Sequence, residues 1–368
     1  MEKKVKKHRL KKGVLALLLV YIIFSLFLQS AFAASGESAF ALNENVGVSE
    51  AETEGVHISS RIWELLFGKS DNKESVRYLI PSGEVFGIKI KEENPTVASA
   101  DASSPFKKGD VILSVNNCQI VEPEDIENAL VGVKGNTVSV KIQRGGEPVT
   151  LTVKPREEDG KLRLGVTLRK SASGIGTITF IDPQTGIYGG LGHGVSDPDT
   201  GKPISLRMGI ATKAILGRTK RGECGSPGEL SGILSSDVIG SIEKNSTCGV
   251  FGILSEVKEN KYAPIPVGTS GELALGEATV ISTVKNGCRA EYKIEITEID
   301  KSATGSKSFK IKVTDPTLIT LTGGIVRGMS GSPIIQNGKL VGAVTHVMVN
   351  DPTEGYGIFI ENMLNSIK

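Results

Sequence analysis

The chain has 368 residues, enough for two domains and a sizeable core. Its formal net charge of +2 is set by the N-terminus: the first 33 residues hold 7 basic and 1 acidic residue, and the remainder holds 36 basic against 40 acidic. A mildly acidic body without a basic stripe excludes a nucleic-acid-binding surface. The 44 glycines, the low aromatic content of 5% and the recurring short runs of Val, Ile and Thr predict many short strands joined by tight turns.

The N-terminus explains the charge asymmetry. KKVKKHRLKK is followed by the apolar run VLALLLVYIIFSLFL and then by small residues, AFA at 31–33. These are the three parts of a secretory signal, and the uncharged stretch is also long enough to remain as a membrane anchor. Residues 1–33 are therefore expected to direct export, with cleavage left open. Residues 34–77 are mixed and polar, and VHISSRIWELLFG within them has the spacing of a short amphipathic helix carrying Trp63. They are assigned as a linker. Export permits disulfides among Cys118, Cys224, Cys248 and Cys288, and the absence of a C-x-x-C spacing gives no indication of a zinc knuckle.

Residues 78–158 have a compact order. IPSGEVFGIKI is a glycine turn leading into alternating apolar positions, and FKKGDVILSVNNCQI reads as a turn and a strand. EPEDIENALVGV has Ile126, Leu130 and Val133 at helical spacing. NTVSVKIQRGGEPVTLTVKP reads as a hairpin. This strand–turn–helix–hairpin order resembles a PDZ domain. The resemblance assigns Phe86, Gly87 and Ile88 to a peptide-binding loop, where backbone N–H groups turn toward a terminal carboxylate and the next strand edge pairs with the peptide. Whether a partner or the chain's own segment fills it is left open.

Residues 162–368 are strand-rich, with SGIGTITFI, GEATVISTV, AEYKIEITEI, FKIKVT and KLVGAVTHVMV among the expected strands and helical spacing only in ENMLNSIK. Many short strands without alternating helices predict a mainly β fold, a barrel or sandwich. Within this region lies TGGIVRGMSGSPII. A serine hydroxyl needs a base within hydrogen-bond reach and donors waiting for the oxyanion. Glycines on either side of Ser330 let the backbone bend, and the N–H groups of Gly328 and Ser330 are the natural oxyanion pair. The loop resembles the G-x-S-G-x-P nucleophile loop of chymotrypsin-like serine peptidases, with Met329 where trypsin-like chains carry an acid and Ser332 as the competing serine.

The base is expected to be a histidine, or a lysine in a dyad, and the candidate histidines are His57, His193 and His346. His57 lies in the linker and His346 on a strand, whereas His193 follows a glycine-rich turn that presents its ring without a crowded neighbour. The orienting acid fixes the imidazole tautomer. Asp197, Asp199, Asp237, Asp300 and Asp315 all lie between His193 and Ser330, and spacing alone does not separate them.

GLGHGVSDPDTG, RGECGSPGELSG, TGGIVRGMSGSPIIQNGKLVGAVTHV and VNDPTEGYGIFIENML together resemble the SpoIVB peptidases, the stage IV sporulation protein B family of endospore-forming bacteria. The resemblance implies a PDZ domain followed by a chymotrypsin-like double β-barrel, with Ser330, His193 and Asp315 as catalytic triad and no metal or organic cofactor. It also implies secretion by the forespore into the space between two membranes. There such a peptidase cuts itself and a membrane-bound regulator of an intramembrane protease, which leads to pro-sigma-factor processing. A non-catalytic PDZ adaptor with a decayed peptidase domain is the competing expectation.

Overall fold

The computed structural model describes residues 76–133, 137–198, 201–256, 262–285 and 287–368. The expected signal segment, the linker helix with Trp63, His57 and Asp199 lie outside the described residues. Among the described residues no helix is long and apolar enough to cross a membrane.

The fold is mainly β. The first half of the chain contributes β1 (Tyr78–Pro81), β2 (Val85–Ala100), β3 (Val111–Val115), β4 (Cys118–Gln119), α1 (Pro123–Leu130), β5 (Val138–Arg144), β6 (Glu147–Val153), β7 (Arg156–Glu158), β8 (Lys161–Arg163), β9 (Val166–Ile181) and β10 (Ile187–Gly190). There follow β11 (Met208–Lys220), β12 (Glu229–Ile242), β13 (Lys244–Ser246), β14 (Gly249–Ile253), β15 (Ile265–Pro266), β16 (Gly276–Lys285), β17 (Cys288–Ile299) and β18 (Phe309–Val313). The C-terminal elements are α2 (Pro316–Thr322), β19 (Pro333–Gln336), β20 (Lys339–Met348), β21 (Asp351–Phe359) and α3 (Ile360–Asn365).

Three hydrophobic cores organise these elements. The PDZ core gathers Val97, Ile112, Val115, Ile126, Leu130 and Ile142. Helix α1 enters it because Pro123 presets the first turn, Asp125 Oδ2 accepts the Val121 and Glu122 N–H groups, and Ile126 and Leu130 share one face. The β5–β6 hairpin closes the unit, with Arg144 opposite Glu147 at the turn. Beneath it the buried Asp110 receives Arg144 through two charge-assisted bonds of 2.8 and 2.7 Å.

A second core, with Ile80, Phe86, Ile88, Ile178, Tyr188 and Val250, lies within the sheet that contains β9, β10, β11 and β14. The third fills a closed six-stranded barrel, β16-β17-β18-β21-β20-β19. Of the expected two barrels, the second closes through a complete ladder of hydrogen bonds. The first is part of a larger sheet whose path runs on into the PDZ strands.

That continuity comes from β2 and β9, which pair antiparallel along their lengths, from Val85↔Thr177 to Ala100↔Val166. The half of β2 near Val85 belongs to the peptidase sheet, and the half near Ala100 belongs to the PDZ unit. This arrangement corrects the assignment of Phe86, Gly87 and Ile88 to a peptide-binding loop. All three lie in a strand paired on both edges, with β9 on one side and β11 on the other. Phe86 and Ile88 are buried, and a Cβ on Gly87 would sit 2.4 Å from Thr212 Oγ1. Alternating apolar residues after a glycine turn suit a barrel strand as well as a PDZ strand, and only the pairing distinguishes them.

Candidate active site

Two loops build the site. The first follows β10, where the chain turns through Leu191, Gly192 and His193. Leu191 is a buried non-glycine residue at φ +66°, a conformation that costs about 1 kcal/mol and persists only where packing enforces it. Its N–H donates to Thr177 O at 3.1 Å. The turn brings His193 against β20: its ring centroid lies 5.1 Å from that of His346, with the planes tilted by 39°.

The second loop runs from α2 to β19 and carries Ser330. Met329 is completely buried in the barrel core, which explains why no acid stands there. The Met329 N–H donates to Val326 O, Ser332 N–H to Met329 O and Gly331 N–H to Val344 O, at 3.1, 2.9 and 2.7 Å. Gly331, at φ +96°, passes so close to β9 that a Cβ would lie 2.0 Å from Thr177 O and 2.5 Å from Leu191 N. Glycine is required there on both counts. Ser332 is fully buried and its hydroxyl bonds Ser282 Oγ at 3.0 Å, so its role is structural.

Thr177 joins the two loops. Its N–H donates to Ser330 O at 3.0 Å and its hydroxyl to Gly328 O at 2.8 Å, while its carbonyl receives Leu191 N–H. The loop is thereby pinned on both sides of Met329. The N–H groups of Gly328 and Ser330, the expected oxyanion donors, make no hydrogen bond among the described residues.

The Ser330 hydroxyl donates to Thr345 O at 2.8 Å. His193 Nδ1 faces Gly194 O at 2.9 Å, and since a carbonyl can only accept, the ring carries its proton on Nδ1. The other ring nitrogen, Nε2, is then the acceptor that a general base needs. Burial pulls the His193 pKa down, partly offset by the Gly194 carbonyl. His346 is pulled down to about 4 by burial first and then by the proximity of His193 and Lys307. Its buried Nδ1 has no hydrogen-bond partner among the described residues.

The structure does not bring the expected acid to this pair. Asp315 is the N-cap of α2: Oδ1 accepts from Thr317 and Leu318 N–H at 2.8 and 3.1 Å, and Oδ2 from Lys293 N–H at 3.2 Å. These backbone donors hold its carboxyl below the usual range against an opposing effect of burial. An Asp-Pro pair opening a short helix is a capping signal; here capping occupies Oδ1 while the Lys293 N–H on β17 occupies Oδ2. The other acids are committed too. Asp197 pairs with Arg169, Asp237 with Lys213, and Asp300 with Ser302. Among the described residues the partner of His193 Nδ1 is the Gly194 carbonyl. Thr177, Thr345 and Gly194 were invisible to motif reading, because they act through backbone atoms or through a threonine that looks like any strand residue.

Comparison with known proteins supplies the context. Residues 73–154 match the PDZ domain family, and residues 160–364 match the family described as SpoIVB peptidase S55. A relative, Protease Do-like 7 of Arabidopsis thaliana, is 25% identical over 168 residues, 45% of this chain, and the chain spans 15% of that relative's length. Among solved structures, the Rv3671c protease of M. tuberculosis in an inactive form is 12% identical with a TM-score of 0.31, covering 52% of this chain and 84% of its own. The HtrA-type protease AlgW with a decapeptide is 9% identical with a TM-score of 0.31, covering 78% of this chain and 64% of its own. With the S55 match extending over more than half of its length, from just before β8 into α3, the chain belongs to the SpoIVB peptidase family and carries a PDZ domain ahead of its peptidase region.

Proposed function

We propose that the protein is a serine endopeptidase in which Ser330 attacks the scissile carbonyl and His193 takes the serine proton. The observation that carries this reading is the convergence of the Ser330 loop and the His193 turn on Thr177, with His193 in the tautomer that leaves Nε2 as acceptor. In the arrangement described, the hydroxyl rests on Thr345 O, so reaction begins with its rotation toward the imidazole. The proton passes to His193 and later to the leaving amine. The N–H groups of Gly328 and Ser330 receive the oxyanion. Asp315 supports the loop through α2 in this mechanism, and does not touch the base.

The family suggests the setting. We infer export across the cytoplasmic membrane, self-cleavage, and cleavage of a membrane-associated regulator in signalling between forespore and mother cell. The basic and apolar N-terminus supports export.

Ser330→Ala removes one oxygen and should abolish self-cleavage, with a loss of at least about 10³-fold in kcat/KM. Mass spectrometry of the purified wild type beside this variant tests it; the same fragments from both would reject the serine mechanism. Asp315→Asn should keep kcat/KM within about tenfold of wild type, because asparagine caps a helix nearly as well. Asp315→Ala should cost about 1 kcal/mol of stability. A loss near 10⁴-fold in folded Asp315→Asn would restore Asp315 as the orienting acid.

The imidazoles also give a pH dependence. His346 has an ordinary value of 6.5 when unfolded and about 4 when folded, and His193 shifts in the same direction. Between these limits the unfolded chain binds protons that the folded chain refuses. Stability is therefore complete above pH 6.5 and declines as the pH falls toward 4. His346→Leu should flatten that decline, measured as urea midpoints at neutral and mildly acidic pH. An unchanged slope would contradict the assignment.

A further inference from the structure

The turn that carries His193 is held from outside by one amide side chain. Asn245 is the middle residue of β13, and β13, β14 and β10 pair in series, so it stands on the same sheet as the strand that feeds the turn. Its Oδ1 accepts the Val195 N–H at 2.8 Å, and its Nδ2 donates to Val195 O at 2.8 Å and to Ile204 O at 2.9 Å. Both amide hydrogens are used, and the pattern fixes which end of the carboxamide faces which way. Val195 O also receives the Ile204 N–H at 2.9 Å, so Asn245 clasps Val195 and Ile204 together. Gly194 lies close against β13, where a Cβ would sit 2.6 Å from Ser246 O.

One peptide unit joins this clasp to the base. The Gly194–Val195 amide offers its C=O to His193 Nδ1 at 2.9 Å and its N–H to Asn245 Oδ1 at 2.8 Å. The two bonds leave opposite ends of one amide dipole. An acceptor on the N–H polarises the amide and strengthens its carbonyl as an acceptor. When His193 takes the serine proton, its Nδ1–H becomes the donor of an imidazolium, and a hydrogen bond to the charged form favours that form. Asn245 therefore acts on the ring without touching it. Asp315, the expected orienting acid, has its oxygens on backbone donors of α2 and β17.

We propose that Asn245 is a positioning residue for the base. Through the Gly194–Val195 amide it keeps His193 in the Nδ1–H tautomer, with Nε2 as acceptor, and supports the imidazolium that forms as Ser330 attacks. The inference rests on His193 being the base. A carboxamide suits this place better than a carboxylate. Aspartate would accept the Val195 N–H, but its second oxygen would face Val195 O and Ile204 O with no proton to give. Support that is neutral and passes through an amide is weaker than a carboxylate on the ring. Its loss should cost about tenfold to a hundredfold in rate, well short of the roughly 10⁴-fold that follows loss of a triad acid.

The first test needs no activity and uses the full chain carrying Ser330→Ala with isotope-labelled histidine. Nuclear magnetic resonance should show His193 with its proton on Nδ1, and adding Asn245→Ala should speed exchange of that proton at least about tenfold. An Nε2–H tautomer without Asn245→Ala, or unaltered exchange in the folded variant, would overturn the proposal whatever becomes of the serine mechanism. The second test is the rate at which a fluorophosphonate probe modifies Ser330: the serine oxygen bonds phosphorus, fluoride leaves and the base takes the proton. Asn245→Ala should slow this about tenfold to a hundredfold and move the acidic limb of the pH–rate profile to lower pH, because the imidazolium loses support. His346 on β20 and Lys307 beside it are the same in both chains, so the movement belongs to His193. A purely structural role would lower the melting temperature and leave rate and limb in place, which would reject the proposal. If Asn245→Ala does not fold, hydrogen exchange of the chain with Asn245 intact decides: the Val195 amide should be protected, and free exchange there would reject the clasp. An unreactive Ser330 in the wild type would sink the serine mechanism, and the catalytic half of the proposal with it, while the exchange data still report on the clasp.

Discussion

The proposed active site depends on one buried residue that has no chemical role in it. Thr177 is fully buried and uses three of its polar groups on two loops: its N–H and hydroxyl hold the carbonyls of Ser330 and Gly328, and its carbonyl holds the N–H of Leu191. Each bond alone contributes about 1 kcal/mol. Their value lies in geometry, since they join the loop of the nucleophile to the turn of the base across the boundary between two separate cores. The close approach of Gly331 to Thr177 O and the left-handed Leu191 follow from the same junction. Strain concentrated there indicates that the surrounding sheets over-determine it.

Strand β9 gives this junction its reach. The residue that fixes the nucleophile loop lies on the same strand that pairs with the PDZ half of β2. The PDZ unit is therefore not a bead on a flexible linker but a branch of the same ribbon, with β2 and β9 paired from one region into the other. A rigid paired ribbon transmits a displacement where a loop would absorb it.

Much of this fold was legible in the sequence because strand alternation and turn chemistry are local signals. The hairpin around Arg144 and Glu147, the barrel strand carrying Lys339–Val344 and the nucleophile loop with its two glycines are read from neighbouring residues. The fate of Val85–Ile90 was not, since its alternation is satisfied equally by a PDZ groove and by a barrel, and the choice is made by β11, well over a hundred residues away. The contacts of Asp315 were not legible for a related reason. An Asp-Pro pair before a serine loop has the right order for a triad acid, yet the backbone donors beside it claim its oxygens first. Gly194 could not be foreseen, because it acts on His193 through a carbonyl that every residue possesses.

The most direct test of this account is the rate of the Thr177→Val variant compared with Thr177→Ser. Valine keeps the shape and the backbone N–H bond to Ser330 but removes the hydroxyl that holds Gly328 O, whereas serine retains that donor. We expect kcat/KM to fall at least about tenfold in Thr177→Val and to stay near wild type in Thr177→Ser, with both folded. Full activity in folded Thr177→Val would contradict the claim that this junction holds the nucleophile loop in its working geometry.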